Sequence, residues 1–278
     1  MRSGTNWVCS LLNLHPQINC IGEFHFEMLC DALAHFTEEP WTFAHHEAAV
    51  AKAAAEGLSA AIRSAMLAAV KYKPDALWIG DRTPSSLQYL PLPEAPCIYA
   101  VRDGRDVLVS WTYHQLRIGG LQPGWSERLA DQVKLFQRSP AYFKENPQEL
   151  LRDLEWVDCV ARGWAEHYEW WRRRTSDQPD DRGSRPILTV RYEDLLRDAD
   201  KARSELYRFL ELDPGDAAPL SRETNTLPGH LREDPLSFYR RGIQGEWREY
   251  FTDPVCACFK EAAGDALVGF GYEKDSAW

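Results

Sequence analysis

Short apolar runs alternate with longer amphipathic stretches along this chain, and the period of each run sets the element it predicts. Residues 5–14 follow a helical pattern that ends before Pro16, and the alanine-rich stretch 48–70 predicts one long helix. "ALWIG" (76–80) and "CIYAV" (97–101) are continuous apolar runs bounded by turn residues, the pattern of strands buried on both faces of a parallel sheet. "RDVLVSWTYHQLR" (105–117) predicts the helix after the second strand. Over 148–174, Leu150, Leu154, Val157, Ala161, Trp164, Tyr168 and Trp171 recur at steps of four and three and make one apolar stripe. "ILTVR" (187–191) predicts a third strand, 198–212 and 253–272 two further helices, and 213–250 an irregular loop rich in Pro, Gly and charge. Strands alternating with helices define an α/β fold with a central, mostly parallel sheet covered on both faces. No internal repeat, low-complexity segment or linker divides the chain, so 1–278 is expected to be a single domain.

Composition narrows the function. At 44% hydrophobic and 12% aromatic, the chain has enough apolar mass for a sizeable core. No apolar run approaches the roughly 20 residues that span a bilayer, and the start shows no signal-peptide pattern, which favours a cytoplasmic protein. Seven scattered cysteines without a C-x-x-C suggest buried thiols rather than a disulfide framework or a zinc site. The net charge of −10 argues against a general nucleic-acid binder. A polyanionic ligand would have to be held by local arginines against this acidic background, so the places of the arginines matter.

Three segments carry candidate chemistry. "RSGTNW" (2–7) opens a helix: Gly4 lets backbone approach a ligand, Ser3, Thr5 and Asn6 are short and polar, and free N–H groups at a helix start attract phosphate or sulfonate. The same pattern is also an ordinary N-cap. It is not a Walker A sequence, and Arg2 is its nearest cation. In "IYAVRDGRDVLVSW" (98–111), a strand delivers Arg102 at its carboxyl end, where open α/β sheets bind ligands, and Ser110 follows on the next helix. Alone, Arg102, Asp103, Arg105 and Asp106 are equally readable as surface ion pairs. "YRRGIQGEWREYF" (239–251) offers an arginine pair before a glycine, an anion clamp or a solvated charge run.

Together, "RSGTNW", "VRDGRDVLVSW", "TVRYEDL" and "RRGIQGEW" stand in the order and rough spacing of sulfotransferases that use 3′-phosphoadenosine 5′-phosphosulfate (PAPS), and "ARGWAEHYEWWRRR" resembles the long helix before R-Y-E-D-L in that family. The resemblance covers nearly the whole chain. It implies a three-layer, P-loop-containing nucleoside triphosphate hydrolase-like fold and transfer of a sulfuryl group from PAPS to a hydroxyl, or an amine, of an acceptor, with no metal. By resemblance, Arg2, Ser3, Gly4, Thr5 and Asn6 hold the 5′-phosphosulfate and Trp7 stacks on the adenine. Arg102 and Ser110 bind the 3′-phosphate, Arg240, Arg241 and Gly242 close over it, and Tyr192 lines the nucleotide site.

The chain departs from the cytosolic branch of that family in two places. Arg2 stands where that branch has lysine, and "RTPSSLQYLP" (82–91) has Pro84 where a catalytic histidine is found. "NLHPQINCIGEFHFEML" (13–29) instead resembles the tyrosylprotein and carbohydrate sulfotransferases, in which a glutamate at the place of Glu23 is the base. His25 is the rival and Glu27 a weaker one. Arg82 is expected to support the transferring group electrostatically. In relatives an apolar strand precedes the opening loop, and Met1 stands where that strand would join it: either a first strand is missing ahead of the sequence, the favoured expectation, or the sheet lacks that strand and the loop is held from one side only. A P-loop kinase or NTPase and a non-catalytic binding member of the family remain as alternatives. The acceptor is expected to be a small molecule, carbohydrate or peptide, and neither nucleic acid nor membrane is expected as a partner.

Overall fold

The computed structural model describes residues 3–69, 73, 76–83, 92, 95–119, 128–175, 186–224, 226, 234–237 and 239–278. Helix α1 (Thr5–Leu12) leads into strand β1 (Ile18–Gly22), then α2 (Glu27–Glu38), α3 (Phe43–His46) and α4 (Ala48–Ala68). Strands β2 (Trp78–Asp81) and β3 (Cys97–Val101) follow, then α5 (Gly104–Arg117), α6 (Ala130–Arg138), α7 (Tyr142–Glu145) and α8 (Leu154–Thr175). Strand β4 (Ile187–Arg191), α9 (Tyr192–Arg197), α10 (Ala199–Phe209) and α11 (Asp253–Gly269) complete the order. The expected mixture of helices and parallel strands is present, but among the described residues the strands form two parallel pairs, β1–β2 and β3–β4, rather than one hydrogen-bonded sheet.

Side-chain alternation explains how each pair is covered. In β3–β4, Tyr99 and Val101 face the cluster of α5, α8 and α11, where Val107, Trp156, Val157, Trp164, Phe259 and Leu267 are buried. Their neighbours Ile98, Ala100, Leu188 and Val190 face the opposite way, toward Val8, Leu11, Leu206 and Tyr207 of α1 and α10. Ile18, Cys20 and Trp78 of β1–β2 join that same α1–α10 cluster, whereas Ile79 packs with Phe26, Ile62 and Met66 beneath α2 and α4. Thus α1 and α10 share an apolar layer with both strand pairs, and α1 carries the opening loop between them.

Local chemistry sets the element ends. Asp103 caps α5, its carboxylate accepting the Arg105 N–H at 2.9 Å. Trp164 of α8 lies over Gly104, where an added Cβ would meet the indole at 2.5 Å, so only glycine admits this approach of α8 to the start of α5. The apolar stripe predicted on 148–174 is largely buried, but Leu154 is exposed and Trp156, Val160 and Trp170 are buried outside it. All seven cysteines are free thiols.

Candidate active site

Met1 and Arg2 lie outside the described residues, as do Pro84 and the rest of 84–91. The loop is visible from Ser3. Gly4 holds φ +83° and ψ 16° at the start of α1, and its carbonyl accepts the N–H groups of Trp7 (2.9 Å) and Val8 (3.0 Å). An L side chain resists this left-handed turn, and a Cβ here would lie 2.5 Å from Cδ2 of Tyr192. The N-cap residue Gly4 contributes no side-chain cap, and the first N–H groups of α1, at Thr5 and Asn6, stand at the positive end of the helix. Trp7 meets Tyr192 edge-on, with centroids 5.8 Å apart, and its Nε1 donates to Thr226 O at 3.0 Å.

The carboxyl ends of β1 and β2 bring Glu23 and Arg82 together. Arg82 N donates to Gly22 O at 2.8 Å, extending the strand pairing, and its Nη2 lies 2.9 Å from Glu23 Oε1. The Glu23 side chain is 33% exposed and Arg82 is 21% exposed, so the pair borders solvent rather than lying in the core. Asp81 fixes the turn: Oδ1 accepts the Phe24 N–H at 3.1 Å and Oδ2 accepts the Thr83 hydroxyl at 2.8 Å. His25, at φ +56°, places Nε2 3.7 Å from Glu23 Oε2 and Nδ1 2.8 Å from Glu27 Oε1. Its imidazole pKa is raised, first by the hydrogen bond to Glu27 and then by the charges of Glu27, Glu23 and Asp81.

The carboxyl ends of β3 and β4 form the other half. The Arg102 guanidinium lies 4.5 Å from the centroid of the Tyr192 ring, and its Nη2 donates to Ile243 O at 2.9 Å. Among the described residues, its buried Nε has no hydrogen-bond partner. Ser110 lines a cleft with Tyr113, His114, Arg117, Pro235, Ser237 and Arg240. Arg240 is buried, pairs with Glu246 and lies over the Tyr113 ring at 4.0 Å. Arg241 reaches Glu246 at 3.2 Å and Glu249 at 3.0 Å, and Gly242 takes φ +67°.

The charges of "RDGRD" are therefore not surface pairs: Arg102, Asp103, Arg105 and Asp106 are all buried. Arg105 bonds Asp103 and Glu273, and its guanidinium lies over the Trp247 ring at 4.0 Å and the Trp278 ring at 4.6 Å, two rings set at 80° to each other. Asp106, with no exposed surface, accepts the N–H groups of Gly245 (2.7 Å) and Trp247 (2.9 Å) and so ties the segment after Gly242 to α5. Burial pushes its carboxyl up to about 6 despite Arg102 3.9 Å away. Sequence reasoning missed the structural roles of Asp81 and Asp106. Their only signal was position, one at the last residue of a strand and the other four residues after Arg102. Among the described residues, no three His, Cys, Asp or Glu side chains converge as metal ligands, and no helix is long and apolar enough to cross a membrane.

Gly4, Trp7 and Arg102 thus all meet Tyr192, and Ser110 and Arg240 share one cleft. Glu23 and Arg82 stand at the ends of the other strand pair, across α1 from them. A profile described as the sulfotransferase family matches residues 1–216, and the chain belongs to that family. It is 26% identical over 173 residues to sulfotransferase 1E1 of Homo sapiens, covering 56% of this chain and 49% of that protein. It is 21% identical over 196 residues to 3-beta-hydroxysteroid sulfotransferase of Cavia porcellus, covering 64% and 58%. The chain thus spans about half the length of the curated relatives it matches.

Proposed function

We propose that this chain transfers the sulfuryl group of PAPS to a hydroxyl, or less readily an amine, of an acceptor, on a three-layer P-loop-type fold. The supporting observation is convergence. The start of α1 at Gly4, the Glu23–Arg82 pair and the Arg102–Tyr192 pair all stand at carboxyl ends of parallel strands or against residues that do. The residues fit the co-substrate: Gly4 offers backbone without a Cβ, Arg102 offers a buried donor, and Ser110 and Arg240 border a polar cleft. Ser3, Thr5, Asn6 and Arg2 would hold the phosphosulfate, Trp7 and Tyr192 the adenosine, and Arg241 with Gly242 the covering segment.

In the step itself, Glu23 Oε2 takes the acceptor's proton while Arg82 holds Oε1. The acceptor oxygen bonds to sulfur in line, the sulfur–oxygen bond to phosphate breaks, and 3′-phosphoadenosine 5′-phosphate (PAP) leaves with the electron pair. N–H groups at the start of α1, with Arg2 and Arg82, stabilise charge on the sulfonate and departing phosphate; losing one such donor typically costs roughly 2.7–4 kcal/mol. The hydroxysteroid named for the Cavia porcellus relative supports a small, apolar acceptor bearing a hydroxyl. A cytoplasmic location follows from the same reading.

Calorimetry with two nucleotides tests the nucleotide half. Arg102→Ala should weaken PAP binding at least about tenfold, the scale of one charge-assisted hydrogen bond. It should leave adenosine 5′-phosphosulfate, which lacks the 3′-phosphate, within about twofold of wild type. Equal losses for both ligands, or unchanged PAP affinity, would remove Arg102 from the 3′-phosphate site.

A further inference from the structure

His25 joins two carboxylates in a geometry that a surface turn does not require. Its φ of +56° is a conformation few non-glycine residues adopt, and such strain persists where the surroundings fix it. Glu27 Oε1 accepts from Nδ1 at 2.8 Å, while Oε2 of Glu27 is buried with no hydrogen-bond partner among the described residues. Nε2 points toward Glu23 Oε2 at 3.7 Å, a gap that rotation of the part-exposed Glu23 carboxylate closes. The imidazole itself is 55% exposed, so a proton arriving there has a way out to water.

Resting on the reading of Glu23 as base, we propose that His25, backed by Glu27, is a positioning residue that carries the acceptor's proton from Glu23 to solvent. The proton count closes. The acceptor's O–H proton goes to Glu23 Oε2 as the oxygen–sulfur bond forms. The neutral carboxyl then donates it to Nε2, making an imidazolium held between Glu23 and Glu27. Water takes one proton from that cation, restoring the neutral ring with Nδ1–H on Glu27 and the anionic base for the next turnover. No electrons are exchanged and no co-reactant is needed. The groups facing the ring are Glu23, Glu27 and Asp81, with Arg82 as the opposing cation on Glu23. Their balance raises the imidazole pKa, which suits a group that must accept a proton from a carboxyl.

The decisive experiment is an NMR titration of the histidine ring protons, with His25 assigned by its loss in His25→Asn. The proposal expects a His25 midpoint above the ordinary histidine value that moves down in both Glu27→Gln and Glu23→Gln. A midpoint that ignores Glu23→Gln overturns it. Turnover of PAPS with 2-naphthol gives a second arm. His25→Gln should lower kcat at least about tenfold, leave KM for PAPS unchanged and regain rate as imidazole buffer is added. Undiminished kcat, or a loss that buffer does not rescue, would overturn it. Failure of the base reading is separable: there Glu23→Gln itself would retain turnover, whatever His25 does.

Discussion

Asp106 makes a quantitative prediction about stability and pH. Its carboxyl is fully buried on α5, held by two backbone N–H groups and one distant guanidinium, and burial lifts it from 3.8 to about 6. A raised folded-state pKa means that the native protein binds this proton more tightly than the unfolded chain does. Below about pH 4 the group is neutral in both states and costs nothing. As pH rises from about 4 to about 6 the unfolded chain ionises first, so stability falls; above about 6 the full cost remains. A displacement of about two pH units corresponds to about 3 kcal/mol. Asp106→Asn keeps the shape and removes the titration. Urea unfolding of both proteins at half-unit steps from pH 4 to 7 reads the difference in their free energies. That difference should fall by about 3 kcal/mol across the window as the wild type loses stability relative to the variant. Parallel curves, constant to within about 0.5 kcal/mol, would refute the assignment of a buried, desolvated carboxylate.

Two further substitutions test how the loops are held. Gly4→Ala meets a left-handed backbone costing about 1–2 kcal/mol and a clash with Tyr192 costing about 1–3 kcal/mol. A chemical-denaturation loss of roughly 2–5 kcal/mol is expected, and the double variant with Tyr192→Ala should recover the steric part. Loss below about 0.5 kcal/mol would contradict this packing. Arg240→Ala leaves Glu246 buried beside Arg241 at 3.2 Å, so a loss toward the low end of about 3–5 kcal/mol is expected. Adding Glu246→Gln should return part of that loss in a double-mutant cycle, whereas strictly additive losses would deny the pairing.

Where the chain declares its own environment, the sequence is readable. "CIYAV" and "ILTVR" are strands at the predicted residues because a continuous apolar run suits a pair covered on both faces. "INCIG" was not recognised as β1: it is five residues long, carries Asn19 and Gly22, and becomes a strand only through pairing with β2 far along the chain. That pairing also moves β2 from 76–80 to Trp78–Asp81, since the Leu77 and Trp78 N–H groups both go to Gln17 O. The candidate site divides in the same way. Arg102 was legible as a strand-end residue, and Tyr192 only through the family resemblance. The burial of Arg105 and Asp106 was not, because Trp247, Trp278 and the Gly245 backbone come from more than a hundred residues away. The Glu23–Arg82 pair lay in two separately quoted motifs, and only the β1–β2 register joins them.

Transfer from radiolabelled PAPS to a panel of phenols, steroid alcohols, sugars and tyrosyl peptides, run beside PAP calorimetry, tests the central claim most directly. Wild type should label at least one acceptor. Glu23→Gln should lower that rate by at least about a hundredfold, the scale of a lost general base, while binding PAP within about twofold of wild type. A Glu23→Gln protein that transfers label at the wild-type rate, or a folded wild type that binds neither PAP nor PAPS, would contradict it.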